Sequence, residues 1–254
     1  MLKALLWDVD GTLAETERNG HLQAFNLAFE ALHLPWRWSP EYYGELLAVA
    51  GGRERLLHDM QSQGRGPSGL EDRHALAQQV HVLKNRLYAS IVAAGELPLR
   101  EGVRELLQDC AQAGLRVGIV TTTSRSNVAA LLNAHLGRAW EERFATVVSA
   151  DEAALKKPDP QAYLLALQEL KLRPHEALAM EDAPAGLAAA QAAGIPVIVT
   201  RSYYFPTTAT HGALAVGPSL GRPAGWNPAA ESRAARIDLA QITRWFEHGK
   251  TLPR

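Results

Sequence analysis

From residue 102 to residue 199 the sequence changes its period with every segment. Apolar residues at helical spacing over 102–114, 126–136, 160–172 and 183–194 alternate with short, almost wholly apolar runs at 115–120, 145–149, 177–180 and 195–199. Runs of that kind fit strands buried on both faces, and strands separated by helices of this size pair in parallel rather than as hairpins. The chain is therefore expected to form an α/β fold, a Rossmann-like parallel sheet with helices on both faces. Gly114 and Gly194 each stand just before a strand, where a helix end calls for a left-handed residue.

The amino-terminal run A-L-L-W-D at 4–8 reads as one more buried strand, stopping at acids and Gly11. No comparable strand follows until after residue 94. Over 21–34, 42–50, 53–60 and 72–92 the apolar residues keep a helical period, with a turn at 61–68. The first strand belongs with the later ones, so this region is read as an insertion: an α/β core of residues 1–15 and 96–254 carrying an all-helical cap of residues 16–95. Trp36 and Trp38 are expected to anchor the cap fold. Residues 202–235 are rich in glycine and proline, with one possible strand at 213–216, and a final amphipathic helix covers 237–248.

Charge and cysteine usage narrow the function. A formal charge of −1 over 254 residues provides no broad basic face, so no nucleic-acid partner is expected. The amino-terminal apolar stretch is too short for a signal peptide, and no apolar run is long enough to span a membrane. The single cysteine, Cys110, has no intrachain partner and falls at an apolar helical position, as a small core residue would. A cytoplasmic monomer is expected.

Open parallel sheets bind ligands beyond the carboxyl ends of their strands. Four polar groups stand there: Asp8 and Asp10, Thr121 to Ser124, Lys156 and Lys157, and Glu181 with Asp182. Asp8 and Asp10, two apart, share a face. A carboxylate beside a metal ion can attack phosphorus, and a second carboxyl can protonate the leaving oxygen and then activate water. Mg²⁺ takes oxygen ligands, which Asp8, Asp182 and a carbonyl near Asp10 would supply. Lys157 would neutralise the nucleophile and phosphoryl oxygens, and the Thr122 hydroxyl would donate to them. Taken singly, each group has an ordinary structural reading as a cap, a helix start or a dipole charge. D-V-D-G also opens calcium loops, but the twelfth position counted from Asp8 is Asn19 rather than glutamate. All four at strand ends point to one phosphate-handling site.

D-V-D-G-T at 8–12, the T-T-T-S stretch, Lys157-Pro158 and Glu181-Asp182 resemble the four signature motifs of the haloacid dehalogenase superfamily. The resemblance implies Asp8 as nucleophile, Asp10 as acid and base, and Thr122, Thr123 and Lys157 as phosphate binders. It also implies a Mg²⁺ site of Asp8, Asp10 and Asp182 supported by Glu181. The insert after the first motif resembles the helical cap of the branch that holds beta-phosphoglucomutase and sugar-phosphate phosphatases. A-E-T-E at 14–17, L-P-W-R-W at 34–38, the Tyr42-Tyr43 pair and G-G-R-E-R at 51–55 resemble the CbbY-like proteins. That likeness implies removal of phosphate from xylulose 1,5-bisphosphate, an inhibitor of Rubisco, and so a role beside the Calvin cycle. One departure stands out: three residues separate Glu17 from His21, one more than in the family's pattern, which leaves open whether His21 reaches the site.

A bisphosphate needs a second anion site, for which His21, Arg53, Arg55 and Arg125 are candidates, with Glu17 and Tyr42 facing sugar hydroxyls. Two other readings share these residues. A phosphomutase would use the same Asp8 but return the phosphoryl group to a sugar, and a non-catalytic sensor would only bind a phosphorylated metabolite. Asp8 and Asp10 together argue for chemistry, and Thr12 is the residue that the resemblance associates with hydrolysis. A cap that closes to exclude water is expected to hinge near residues 13–16 and 93–98.

Overall fold

The computed structural model describes residues 1–231 and 235–249; residues 232–234 of the loop-rich stretch fall outside it. The chain enters the sheet at once with strand β1 (Ala4–Trp7), then leaves it for four helices, α1 (Gln23–Ala31), α2 (Pro40–Leu46), α3 (Gly52–Ser62) and α4 (Leu70–Ala93). It returns through α5 (Val103–Gln112), β2 (Arg116–Val120), α6 (Arg125–Leu136), β3 (Thr146–Val148), α7 (Gln161–Leu170), β4 (Ala177–Glu181), α8 (Pro184–Ala192), β5 (Val197–Thr200), β6 (Ala215–Gly217) and α9 (Leu239–His248).

The six strands run parallel in the order β3-β2-β1-β4-β5-β6, so β1 lies at the centre, with Ala4 beside both Arg116 and Ala177. Alternate residues of each strand supply opposite faces. Leu5, Trp7, Ile119 and Met180 pack on one side with Leu106 and Cys110 of α5, Leu131 of α6 and Phe246 of α9. Ala4, Leu6, Val120 and Ala179 pack on the other with Ala166 and Leu170 of α7 and Leu187 of α8. This two-sided burial is why the strands read as continuous apolar runs. Cys110 is fully buried, and desolvation pushes its thiol up to about 12. Gly114 and Gly194 take φ of 65° and 74°, closing α5 and α8 as expected.

The four inserted helices have an apolar cluster of their own, built on Phe25, Phe29, Trp38, Tyr43, Leu56 and Met60. Trp38 is its hub, 4.7 Å from Phe25 and 5.0 Å from Phe29 between ring centres. Asn26 holds the Trp38 backbone, accepting from its N–H at 2.8 Å and donating to its carbonyl at 2.9 Å. Both Trp36 and Trp38 therefore serve packing. The segment leading into α1, Glu17–Leu22, is a π-helical turn, wider than the α-helix the sequence suggested. A π turn takes up one extra residue without breaking the helix. His21 lies within this turn and is buried. Among the described residues no helix is long and apolar enough to cross a membrane.

Candidate active site

All four sequence groups arrive at the carboxyl edge of the sheet, carried by neighbouring strands. Asp8 follows β1, Glu181 ends β4 with Asp182 just beyond it, and Lys157 comes in on the loop after β3. The chain after Asp8 turns sharply: Thr12 and Leu13 donate their N–H groups to the Val9 carbonyl, and Gly11 adopts φ of 86°.

Lys157 is buried, and its ammonium donates to Asp8 Oδ1 at 2.7 Å, Glu181 Oε1 at 2.6 Å and the Val120 carbonyl at 2.8 Å. These three acceptors use all three of its protons. Burial works against its charge, but Asp8 and Glu181 outweigh that and hold Lys157 well above the usual lysine range. Burial dominates at Asp8 and raises its carboxyl even against Lys157. Burial likewise pushes Asp182 up to about 8, although Ser202 hydrogen-bonds to it; Thr12 donates to its Oδ1 at 3.2 Å.

Asp8, Glu181 and Asp182 each offer a carboxylate oxygen within 4.8 Å of the others, all three buried. These three acids crowd around the single Lys157 ammonium, and burial raises Asp8 and Asp182. This all-oxygen donor set fits a hard divalent cation. Asp10, which the sequence reading counted as a metal ligand, sends its side chain elsewhere: Oδ1 accepts from Thr16 at 2.5 Å and lies 3.0 Å from His21 Nε2. Burial raises its carboxyl, but the charge and hydrogen bond of His21 and the bond from Thr16 prevail and hold it at about 2.

Above these residues lies a cleft of about 420 Å³ walled by both the sheet edge and the inserted helices. Asp10, Glu17, His21, Arg53, Thr122 and Thr123 line it, as the sequence reading placed them. Asp8, Lys157, Glu181 and Asp182 stay buried at the strand ends rather than on its wall, and Tyr42 and Arg125 point away from it. The Tyr42 hydroxyl donates to the fully buried Asp59 at 2.7 Å, within the helical insertion. Its neighbour Tyr43 faces Glu17 instead, donating to Oε2 while accepting from Arg55 at 3.0 Å. A two-residue pair on a helix cannot present both rings to one side, and the buried aromatic cluster takes Tyr43. Arg125 also misses the cleft; its guanidinium meets Glu141 at 3.0 Å and Glu152 at 3.4 Å.

Lys84 and His81 line the cleft from α4 and were not foreseen. Lys84 is only 3% exposed. Its ammonium touches the Asn85 amide oxygen at 3.4 Å and sits over the rings of Phe25 and Tyr88 at 5.1 Å and 5.5 Å. Burial pulls it down to about 8, even though Asp10 and Glu17 raise it. Burial, with Lys84 adding to it, lowers His81 to about 4. The signal was present: Lys84 stands four residues from both Val80 and Tyr88, on the apolar row of α4. Lys156, beside Lys157, reaches Glu54 of α3 at 2.6 Å and ties the sheet edge to the insertion.

A parallel sheet interrupted after its first strand by a helical insert, with buried acids and a lysine at the strand ends, defines a class. The chain belongs to the haloacid dehalogenase-like hydrolases, whose family model matches residues 2–194. It is 45% identical over 254 residues to protein CbbY (plasmid) of Cupriavidus necator, covering 98% of each. Among solved structures it is similar to CbbY from Rhodobacter sphaeroides in complex with phosphate, with a TM-score of 0.84 and 37% identity over 96% of this chain and 100% of that one. A mutant of that protein in complex with xylulose-(1,5)bisphosphate gives a TM-score of 0.83 and 36% identity over 95% and 99%. The chain is thus a CbbY-like enzyme, a hydrolase of the phosphatase kind.

Proposed function

We propose that this enzyme removes phosphate from a small sugar bisphosphate, xylulose 1,5-bisphosphate, through an aspartyl-phosphate on Asp8, and thereby serves carbon fixation by Rubisco. The observation that carries the reading is a cleft lined from the insertion by Lys84, Arg53 and Arg55 and from the sheet edge by Asp10, Thr122 and Thr123. Lys157 holds Asp8 at the same sheet edge, and the buried Lys84 has only the Asn85 amide oxygen within hydrogen-bond distance. A buried, unpaired ammonium is costly unless a ligand supplies its counter-charge. A substrate with two phosphates supplies it, and the CbbY relative bound to xylulose-(1,5)bisphosphate supports the choice of sugar.

In this mechanism Asp8 attacks phosphorus while Lys157 aligns its carboxylate and favours its charged form against burial. Thr122 and Thr123 hold the phosphoryl oxygens from the end of β2. Asp10, steadied by Thr16 and His21, takes up a proton as the anionic substrate raises its pKa and passes it to the leaving sugar oxygen. It then acts as base toward the water that frees Asp8. Mg²⁺, bound among Asp8, Asp182 and Glu181, would supply charge against the phosphoryl oxygens.

The helical residues 16–95 are proposed as a cap over a core of residues 1–15 and 96–254. Both crossings lie side by side, with Ala14 bridged to Leu99 and Arg100 donating its N–H to Leu13 at 2.8 Å, a compact place for a hinge. A cytoplasmic monomer completes the proposal.

The test is phosphate release from xylulose 1,5-bisphosphate, ribulose 1,5-bisphosphate and glucose phosphates, with Mg²⁺ and with a chelator, beside Asp8→Asn. Selective, metal-dependent release of free phosphate that the substitution abolishes supports the reading. Turnover of other esters alone would remove the assigned sugar, isomerised sugar phosphate without free phosphate would indicate a mutase, and release untouched in Asp8→Asn would overturn the mechanism.

A further inference from the structure

Lys157 owes its place to Glu181, and Glu181 is held by a residue that lies outside the strand ends. Tyr163 sits on the buried face of α7 beside Ala162, Ala166, Leu167 and Leu170, fully enclosed in the apolar cluster under the sheet. For packing alone, phenylalanine would serve there, and a buried hydroxyl left unpaired is costly. The hydroxyl is paired: it donates to Glu181 Oε1 at 2.5 Å. The same oxygen accepts from Lys157 at 2.6 Å, and the Tyr163 ring centre lies 5.2 Å from that ammonium.

The far side of the carboxylate is closed by backbone. A Cβ at Gly186, in the first turn of α8, would fall 2.0 Å from Glu181 Oε2, so the helix approaches too closely for any side chain there. Glu181 is therefore held between α8 and two donors on one oxygen. Because the three protons of Lys157 are committed to Asp8, Glu181 and Val120, a shift of Glu181 must move the ammonium relative to the nucleophile. With Tyr163 gone, one donor remains on Oε1, and the carboxylate can follow the lysine instead of holding it.

We propose that Tyr163 is a positioning residue for the phosphoryl-transfer step, its hydroxyl fixing Glu181 and, through it, the Lys157 ammonium against Asp8. The inference rests on the aspartyl-phosphate reading above. Displacing a charge that acts on the transition state lowers kcat more than it changes substrate affinity.

The experiment compares wild type, Tyr163→Phe, Glu181→Gln and the double variant in steady-state phosphate release from xylulose 1,5-bisphosphate and 4-nitrophenyl phosphate. Rates are referred to the folded fraction read by near-ultraviolet circular dichroism, so that a partly unfolded variant still reports. Tyr163→Phe is expected to lower kcat about tenfold with KM within about twofold, and to have almost no further effect once Glu181 is glutamine. An unchanged kcat, a loss carried by KM, or losses that simply multiply in the double variant would overturn the proposal. If the sugar bisphosphate is not turned over but the aryl ester is, the substrate reading fails while the Tyr163 comparison still decides on the ester.

Discussion

Gly11 lies so close to Asp182 that a Cβ on it would fall 2.1 Å from the Asp182 Oδ2, inside any permitted contact. The glycine is required twice over, since its φ of 86° is also one that other residues adopt only with strain. Gly11→Ala is therefore expected to displace either the turn carrying Asp10 or the carboxylate of Asp182. Activity should fall at least about a hundredfold, with stability reduced by about 1–3 kcal/mol. Phosphate release measured beside urea denaturation checks both, and an active, stable variant would show that the turn has room to adjust.

Lys84 should trade stability for affinity. Its pKa of about 8 in the folded chain lies below the unfolded value, so the unfolded state binds its proton more tightly. The penalty is full below pH 8 and disappears as the pH rises toward the unfolded value near 10.4. Lys84→Met is expected to stabilise the ligand-free protein at pH 7 by up to about 3 kcal/mol and to gain less as the pH rises. The same variant should raise KM for a bisphosphate at least about tenfold, a typical consequence of losing a desolvated charge contact. Denaturant midpoints at pH 7 and pH 9.5, with KM values, provide the check; a destabilised variant at pH 7 would contradict it.

Removing divalent metal should abolish turnover and lower the thermal midpoint. Asp8, Glu181 and Asp182 repel one another around a single lysine, and a cation bound only by the folded chain stabilises it by mass action. At a hundred times its Kd, Mg²⁺ should contribute about 2.7 kcal/mol. Thermal scans with added Mg²⁺ against a chelator measure this, and identical midpoints at saturating metal would argue against the site.

The ion pair from Lys156 to Glu54 spans sheet edge and insertion at 2.6 Å, with both side chains partly exposed. Pairs of this exposure contribute less than about 1 kcal/mol. Glu54→Gln should accordingly weaken closure modestly, raising KM about two- to fivefold with kcat nearly unchanged. Small-angle scattering of ligand-free and ligand-bound protein reads the cap angle directly, and equal profiles in both states would remove the lid from the mechanism.

The strands β1 to β5 and the α-helices of the sheet region were readable before folding, because a buried parallel strand and its covering helix leave different periods in the sequence, whereas the short 3-10 turns at Trp140–Arg143 and Pro174–Glu176 leave none. The same holds for the positions of Asp8, Thr122, Lys157 and Asp182. Asp8, Thr122 and Asp182 each sit just past the end of an apolar run and Lys157 on the loop that follows one, and in a parallel sheet every such end lies on one edge. Gly114 and Gly194 marked their helix ends for an equally local reason. Even Lys84 left a trace, a charge on the apolar row of α4, though its meaning depended on what faces that row.

What the sequence determined by itself is thus the order of elements, the edge on which the polar residues gather and the class of chemistry they suit. Tertiary structure decided which side chains meet there. It turned Tyr43 rather than Tyr42 toward Glu17, left Arg125 among surface acids, and set His21, within a π turn, beside Asp10. It also brought Tyr163 under Glu181 and Lys84 over the cleft. These pairings join residues far apart in the chain and depend on ring orientation, helix rotation and close backbone approach. None of those is a property of a local period; each exists only once the helices are packed.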